Sequence, residues 1–210
     1  ELGVAMIDIG GGTSDLAIFY QEAIKHTSVL TIAGAQMTND IAIGLRTPNQ
    51  EAEKIKHAYG CALSTLVAED ETIEVPSVGG RETRTVSRQI LSEILEARAR
   101  EMFEMLNHEI NVSGFRDIVS SGIVLTGGAA SLPGMGELAE EIFQLPVRVG
   151  APANLGGLVD VVGSPMYATS TGLIQYGMKS VKAGTTHELK GRHLFDKIFS
   201  RMKDWAEEFF

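Results

Sequence analysis

Two glycine turns hold the residues that could do chemistry. The first is Asp8-Ile9-Gly10-Gly11-Gly12-Thr13-Ser14-Asp15, entered from the apolar run Val4-Ala5-Met6-Ile7. The second is Leu125-Thr126-Gly127-Gly128-Ala129-Ala130-Ser131-Leu132-Pro133-Gly134, entered from Ile123-Val124. Glycines at a strand end let backbone amides approach a ligand closely, and a row of amides suits a phosphate. Gly10, Gly11 and Gly12 put no side chain in the way, and Thr13 adds a hydroxyl. Asp8 closes its strand with a carboxylate placed to enter a cleft. Beside a bound phosphate it could hold Mg²⁺ through water and orient an attacking water, which makes it the one catalytic candidate. Asp15 is the second candidate metal group. The same two carboxylates could simply cap their turn, and a triple glycine alone also suits a plain hairpin or bulge. The Lys and Ser/Thr ending of a Walker loop is absent, and the first unit reads strand, tight turn, strand.

The elements that must position these turns alternate between strand and helix. Leu2–Ile7, Leu16–Tyr20 and Ala23–Ile32 read as a three-strand meander. Helices are expected over Thr38–Leu45 and Glu51–Tyr59, with short strands at Thr72–Val75 and Arg84–Val86. Ser87–Ile110 is the longest helix, with Ile90, Leu91, Ile94, Leu95, Met102, Met105 and Leu106 as its core stripe. Ser121–Thr126, Gly134–Phe143 and Val147–Val149 form a β-α-β unit, so a parallel pair is expected. Met166–Tyr176 reads as a further helix. The class is α/β.

The motifs resemble those of a known superfamily. Asp8-Ile9-Gly10-Gly11-Gly12-Thr13-x-Asp15 resembles the second phosphate loop of the actin, Hsp70 and sugar-kinase ATPases, and Gly127-Gly128-Ala129-Ala130-Ser131-Leu132-Pro133-Gly134 resembles their adenosine loop. Ala52-Glu53-Lys54-Ile55-Lys56 resembles the helix segment whose Glu and Lys reach ribose and adenine. By spacing alone, Glu53 and Lys56 would be an ordinary solvated helix pair. Within the superfamily the chain resembles the bacterial cell-division FtsA family, through Val75-Pro76-Ser77-Val78-Gly79-Gly80, Ala168-Thr169-Ser170-Thr171-Gly172-Leu173 and the C-terminal tail. The resemblance covers almost the whole chain and the second half of the family's length.

That resemblance implies an actin-like ATPase lobe, a ribonuclease-H-like mixed sheet with flanking helices, formed by 1–46 and 117–180. It implies a smaller α+β subdomain inserted at 47–116. ATP and Mg²⁺ would lie in a cleft between two lobes, contacted here by Gly10, Gly11, Gly12, Thr13, Glu53, Lys56, Gly127, Gly128 and Ala129. No second Asp-x-Gly-x-x motif occurs. This half is therefore expected to bind nucleotide weakly and to be inactive alone, the full-length protein being at most a weak ATPase. Implied partners are copies of itself in a filament, the C-terminal peptide of the tubulin-like FtsZ, and other division proteins. An FtsZ site is implied near the long helix, where Arg84, Arg88, Arg98 and Arg100 could meet an acidic peptide. The alternatives are an enzyme of the same superfamily, a chaperone ATPase or sugar kinase, or a pilus-assembly or rod-shape scaffold. Hsp70-like chains have an Arg that stacks on adenine where this chain has Ser131.

The C-terminus carries a separate signal. Gly177–Arg192 is poor in apolar residues and reads as a flexible tether, with 181–192 as the linker proper. In 193–210, Leu194, Phe195, Ile198, Phe199, Met202, Trp205, Phe209 and Phe210 share one helical face, opposite Asp196, Lys197, Arg201, Lys203, Asp204, Glu207 and Glu208. This pattern, on a flexible tether and rich in aromatic residues, suits an amphipathic helix lying in a lipid surface better than the alternatives, a helix docked on the body or a coiled-coil partner. Its polar face is not basic, so apolar burial would have to carry membrane binding. Together with the resemblance it places the protein on the cytoplasmic face of the inner membrane at the division site. The net charge of −9 and the lack of a basic stripe argue against nucleic-acid binding. Cys61 is the only cysteine, which excludes a disulfide framework and suits a reducing cytosol.

Overall fold

The structure, a computed structural model, describes residues 3–79, 82–153 and 162–182. By contact density the chain divides into two units, Glu1–Thr169 and Ser170–Phe210.

The first unit is organised by a five-stranded sheet. Strands β1 (Val4–Ile9), β2 (Ser14–Tyr20) and β3 (Ala23–Leu30) form the antiparallel meander. Strands β6 (Ile123–Thr126) and β7 (Val147–Val149) run parallel to β1 on its other side, giving the order β3-β2-β1-β6-β7. Alternation along β1 and β2 buries Ala5, Ile7, Ile9, Leu16 and Ile18 on one face. Asp8 and Asp15 stand directly opposite each other in the register, on the other face.

The buried face packs on helices α1 (Gly34–Gly44), α2 (Asn49–Tyr59), α3 (Arg88–Val112) and α4 (Met135–Phe143). The short pair β4 (Thr72–Val75) and β5 (Arg84–Ser87) lies between α2 and α3 in sequence. Along α3 the fully buried row is Leu91, Leu95, Ala99, Met102, Phe103, Leu106 and Ile110. Ile90 and Met105, assigned to the stripe from sequence, are 46% and 38% exposed instead. They lie one position off the row, beyond the reach of α1 and α4, the helices that pack against α3. Phe103 meets Phe143 of α4 edge to face at 5.6 Å. Cys61 is buried and free.

Two helix ends differ from expectation. α1 starts at Gly34 rather than Thr38 because tertiary partners replace a capping hydroxyl. The Gln36 side-chain Oε1 accepts from the Ala33 amide at 2.9 Å, and the amides of Gly34 and Ala35 find acceptors in the first glycine turn. Helix α5 (Ala168–Lys182) continues through Gly177 to Lys182, past the end expected at Tyr176. A glycine with ordinary helical dihedrals weakens a helix without ending it.

The β2–β3 connection yields a prediction. Gln21 and Glu22 both have positive φ, 51° and 59°, between the paired Tyr20 and Ala23. This left-handed pair is the geometry that Asn-Gly adopts with least strain. Replacing Gln21-Glu22 by Asn-Gly is expected to raise stability by about 1 kcal/mol, read as a higher urea midpoint.

Candidate functional site

The two glycine turns leave the sheet side by side. β1 and β6 are parallel neighbours with Asp8 opposite Thr126, so both turns open at the carboxyl ends of adjacent strands. In open α/β sheets ligands collect at this edge. Gly127, with φ +89°, approaches β1 so closely that a Cβ there would lie 2.4 Å from Asp8 Oδ1 and from the Ile9 carbonyl.

The Gly10 amide closes the first turn on the Thr13 carbonyl at 2.9 Å, while the Gly11 and Gly12 amides face outward for a simple reason. The Gly10 and Gly11 carbonyls accept from the Gly34 and Ala35 amides of α1, at 3.1 and 2.7 Å. In a trans peptide the N–H points opposite to the preceding C=O. The N–H groups of Gly11 and Gly12 therefore point away from α1. Both residues are exposed, with no atom within 4 Å of where a Cβ would stand. In the second turn the Gly127 amide is taken by the Pro165 carbonyl at 3.2 Å, while Gly128 is exposed and Ala129 half-buried.

Two hydroxyls orient the carboxylates. Thr169 donates to Asp8 Oδ2 at 2.5 Å and Thr13 donates to Asp15 Oδ2 at 3.0 Å. Residues directly opposite in an antiparallel pair have Cβ atoms about 4.5–5.5 Å apart. Neither aspartate forms an ion pair among the described residues. Two uncompensated carboxylates at this spacing beside outward amides are a donor set that fits a hydrated Mg²⁺.

Between the turns lies α2. A cavity of about 430 Å³ is lined by Gly11, Gly34, Ala35, Thr38, Glu53 and Lys56. A second, of about 230 Å³, is lined by Met37, Lys56, His57, Gly128, Ala129 and Leu132. Lys56 belongs to both, so the residues singled out on α2 join the two turns into one cleft. A third cavity, of about 490 Å³ between α4 and β7, contains no residue of the first turn.

Lys56 is buried, and its ammonium donates to the Gly34 carbonyl at 2.9 Å, to Thr38 Oγ1 at 2.7 Å and to Glu53 Oε2 at 2.7 Å. Thr38 in turn donates to Glu53, and His57 bonds its other oxygen at 2.9 Å. Burial pushes the Glu53 carboxyl up, but the bonds from Lys56, Thr38 and His57 and the Lys56 charge outweigh it, holding the group below the usual carboxylate range.

The four arginines considered for an acidic partner are all engaged internally. Arg84 donates to the Leu45 carbonyl, and Arg88 to Glu71 and the Tyr59 carbonyl. Arg98 clasps Asp40 with two nitrogens, at 2.5 and 3.0 Å, and Arg100 bridges Glu96 and Glu141 at 3.2 and 2.8 Å. Leu194, Phe195, Ile198, Phe199, Met202, Trp205, Phe209 and Phe210 lie outside the described residues. Among the described residues no helix is long and apolar enough to cross a membrane.

Gly34, Thr38, Pro165 and Thr169 were not singled out as site residues in the sequence. The small run Ala33-Gly34-Ala35 was a usable signal for close approach. Nothing local marks Pro165, and Thr169 entered only within the segment 168–173 that carries the family resemblance, because their contacts reach across more than 35 residues.

This sheet, with its paired turns and flanking helices, is the fold of the actin-like ATPases. It superimposes on MreB5 of Spiroplasma citri bound to ADP with a TM-score of 0.62 at 20% identity, over 87% of this chain and 56% of that one. The particular family is defined by sequence. The model for "Cell division protein FtsA" matches residues 5–172. The chain is 48% identical to cell division protein FtsA of Pseudomonas aeruginosa, over 99% of this chain and 51% of that one. With the same protein of Escherichia coli K12 it shares 45% identity, over 86% and 44%. The chain belongs to the FtsA family and spans about half the length of the curated relatives it matches.

Proposed function

We propose that this chain is the half of an actin-like cell-division protein that carries the second phosphate turn and the adenosine turn of an ATP site. The observation that carries this reading is the register pair Asp8–Thr126, which sets both turns at one sheet edge with the Gly11 and Gly12 amides facing outward. The β- and γ-phosphates would lie on Gly10, Gly11, Gly12 and Thr13, and the nucleoside would run past Glu53 and Lys56 toward Gly127, Gly128 and Ala129. Asp8 and Asp15 would hold Mg²⁺, which neutralises phosphate charge when bound, and Asp8 would orient the attacking water. The ADP seen in the Spiroplasma relative of the fold supports a nucleotide in this cleft.

In the whole protein the nucleotide would act as a switch for assembly more than as a rapidly consumed substrate. Family membership supports filament formation, attachment to FtsZ and other division proteins, and work at the division site. The apolar face of 193–210 would hold the filament to the cytoplasmic face of the membrane. Arg84, Arg88, Arg98 and Arg100 already have partners within the chain, so an acidic FtsZ peptide at the long helix would have to share or displace those bonds.

The test is titration of the full-length protein with a fluorescent ATP analogue, with Mg²⁺ and with EDTA. Asp8→Asn is expected to weaken Mg²⁺-dependent binding about ten- to a hundredfold and to leave EDTA-resistant binding little changed. Equal affinity of wild type and variant in Mg²⁺ would defeat the assignment of Asp8.

A further inference from the structure

We infer that Thr169 is a positioning residue for Asp8, and that through it the start of α5 belongs to the Mg²⁺ end of the cleft. The inference rests on the nucleotide reading above. It gives a physical role to the segment Ala168-Thr169-Ser170-Thr171-Gly172-Leu173, which lies outside both glycine turns. Thr169 is the second residue of α5, and its hydroxyl donates to Asp8 Oδ2 at 2.5 Å, across 161 positions of the chain. That length is typical of a hydroxyl bonded to an ionised carboxylate, the stronger class of hydrogen bond. Thr169 is exposed, so close packing does not account for its place.

Asp8 needs such a donor. It stands directly opposite Asp15, and like charges directly opposite on a ladder repel. Without a partner the two carboxylates would turn apart. Asp8 Oδ1 lies against the second turn, 2.4 Å from where a Cβ of Gly127 would stand, while Oδ2 is held from α5. One oxygen is walled and the other bonded, so the carboxylate is aimed before a metal arrives. Partners that fix a metal-binding carboxylate in this way raise its affinity for the ion. Thr13 holds Asp15 from two residues away, inside the first turn. Thr169 differs in bringing in a separate element. The residues just before it are pinned to the neighbouring strand, where the Pro165 carbonyl accepts from the Gly127 amide at 3.2 Å and from Thr126 Oγ1 at 3.3 Å. Pro165 and Thr169 together therefore span the ends of β6 and β1, the edge from which both turns leave.

The experiment uses full-length protein with Thr169→Val, of the same shape without the hydroxyl, and Thr169→Ser, which keeps it. A fluorescent ATP analogue is titrated in Mg²⁺ and in EDTA, and amide exchange is followed without nucleotide. Thr169→Val is expected to weaken binding in Mg²⁺ about three- to tenfold, as for loss of one hydrogen bond, and to leave binding in EDTA unchanged. Thr169→Ser should behave as wild type. In an Asp8→Ala background Thr169→Val should add nothing, because the acceptor is gone. Without nucleotide, the Gly127 amide of Thr169→Val should exchange faster, with α3 core amides unchanged, since Pro165 loses an anchor. If Thr169→Val does not fold, the same comparison is read on Thr169→Ala. Equal losses in Mg²⁺ and EDTA would overturn the inference in favour of a merely structural role for the segment. A further loss in the Asp8→Ala background, or failure of serine to rescue, would overturn it too. If the wild type itself gains nothing from Mg²⁺, the nucleotide reading fails and the positioning role falls with it, whereas Mg²⁺-dependent binding that Thr169→Val leaves intact defeats the positioning role alone.

Discussion

Gly127→Ala is expected to destabilise the protein by about 3 kcal/mol or more, whereas Gly128→Ala, one residue on, should stay within about 0.5 kcal/mol of wild type. Gly127 has φ +89°, and a left-handed backbone costs an L-residue about 1–2 kcal/mol. The added methyl would also stand 2.4 Å from Asp8 Oδ1 and the Ile9 carbonyl, which belong to a central strand that cannot yield without breaking its pairings on both sides. Gly128 has φ −61°, and its methyl would stand 3.8 Å from Met166 Cβ, an ordinary contact. Urea unfolding with an unchanged slope reads the difference directly. Equal midpoints for the two variants would mean that the second turn does not press on β1, and the shared edge of the two turns would lose its main support.

Phe103→Ala is expected to cost about 3–5 kcal/mol, and Phe103→Leu about 1 kcal/mol. The ring is fully buried at the centre of α3 and meets Phe143 edge to face. Phe143 ends α4, the helix that follows the second glycine turn, so α3 supports that turn through α4. The same urea experiment measures both variants. A cost for Phe103→Ala near that of a surface substitution would show that α4 is anchored elsewhere, through Met135 and Leu138.

Much of this was legible in the chain. The apolar runs Val4-Ala5-Met6-Ile7 and Leu16-Ala17-Ile18-Phe19-Tyr20 marked strands, but being apolar throughout they did not show which face is buried; the structure places Ala5, Ile7, Ile9, Leu16 and Ile18 on it, because a strand side chain has only two directions. The glycine turns were legible because phosphate-sized access to the backbone demands missing side chains, and Asp8 and Asp15 because they flank the turn symmetrically. The start of α1 was not legible. Its cap is the carbonyl pair of Gly10 and Gly11, distant in sequence, where local reading looks for a hydroxyl. Ile90 and Met105 were misassigned to the core because a 3.6-residue pattern gives the direction of an apolar stripe and not its width, which the neighbouring helices set.

By itself, then, the sequence determined the kind of element at each point, the two turns and the side chains they carry, since these follow from local sterics and periodicity. Only the tertiary structure decided that the turns share one edge, that Asp8 faces Asp15 across a ladder, that Thr169 steadies Asp8, and that the Lys56 ammonium is fully engaged. Those are contacts between distant segments, and hydrogen-bond saturation is a property of three-dimensional surroundings that no residue type or spacing records.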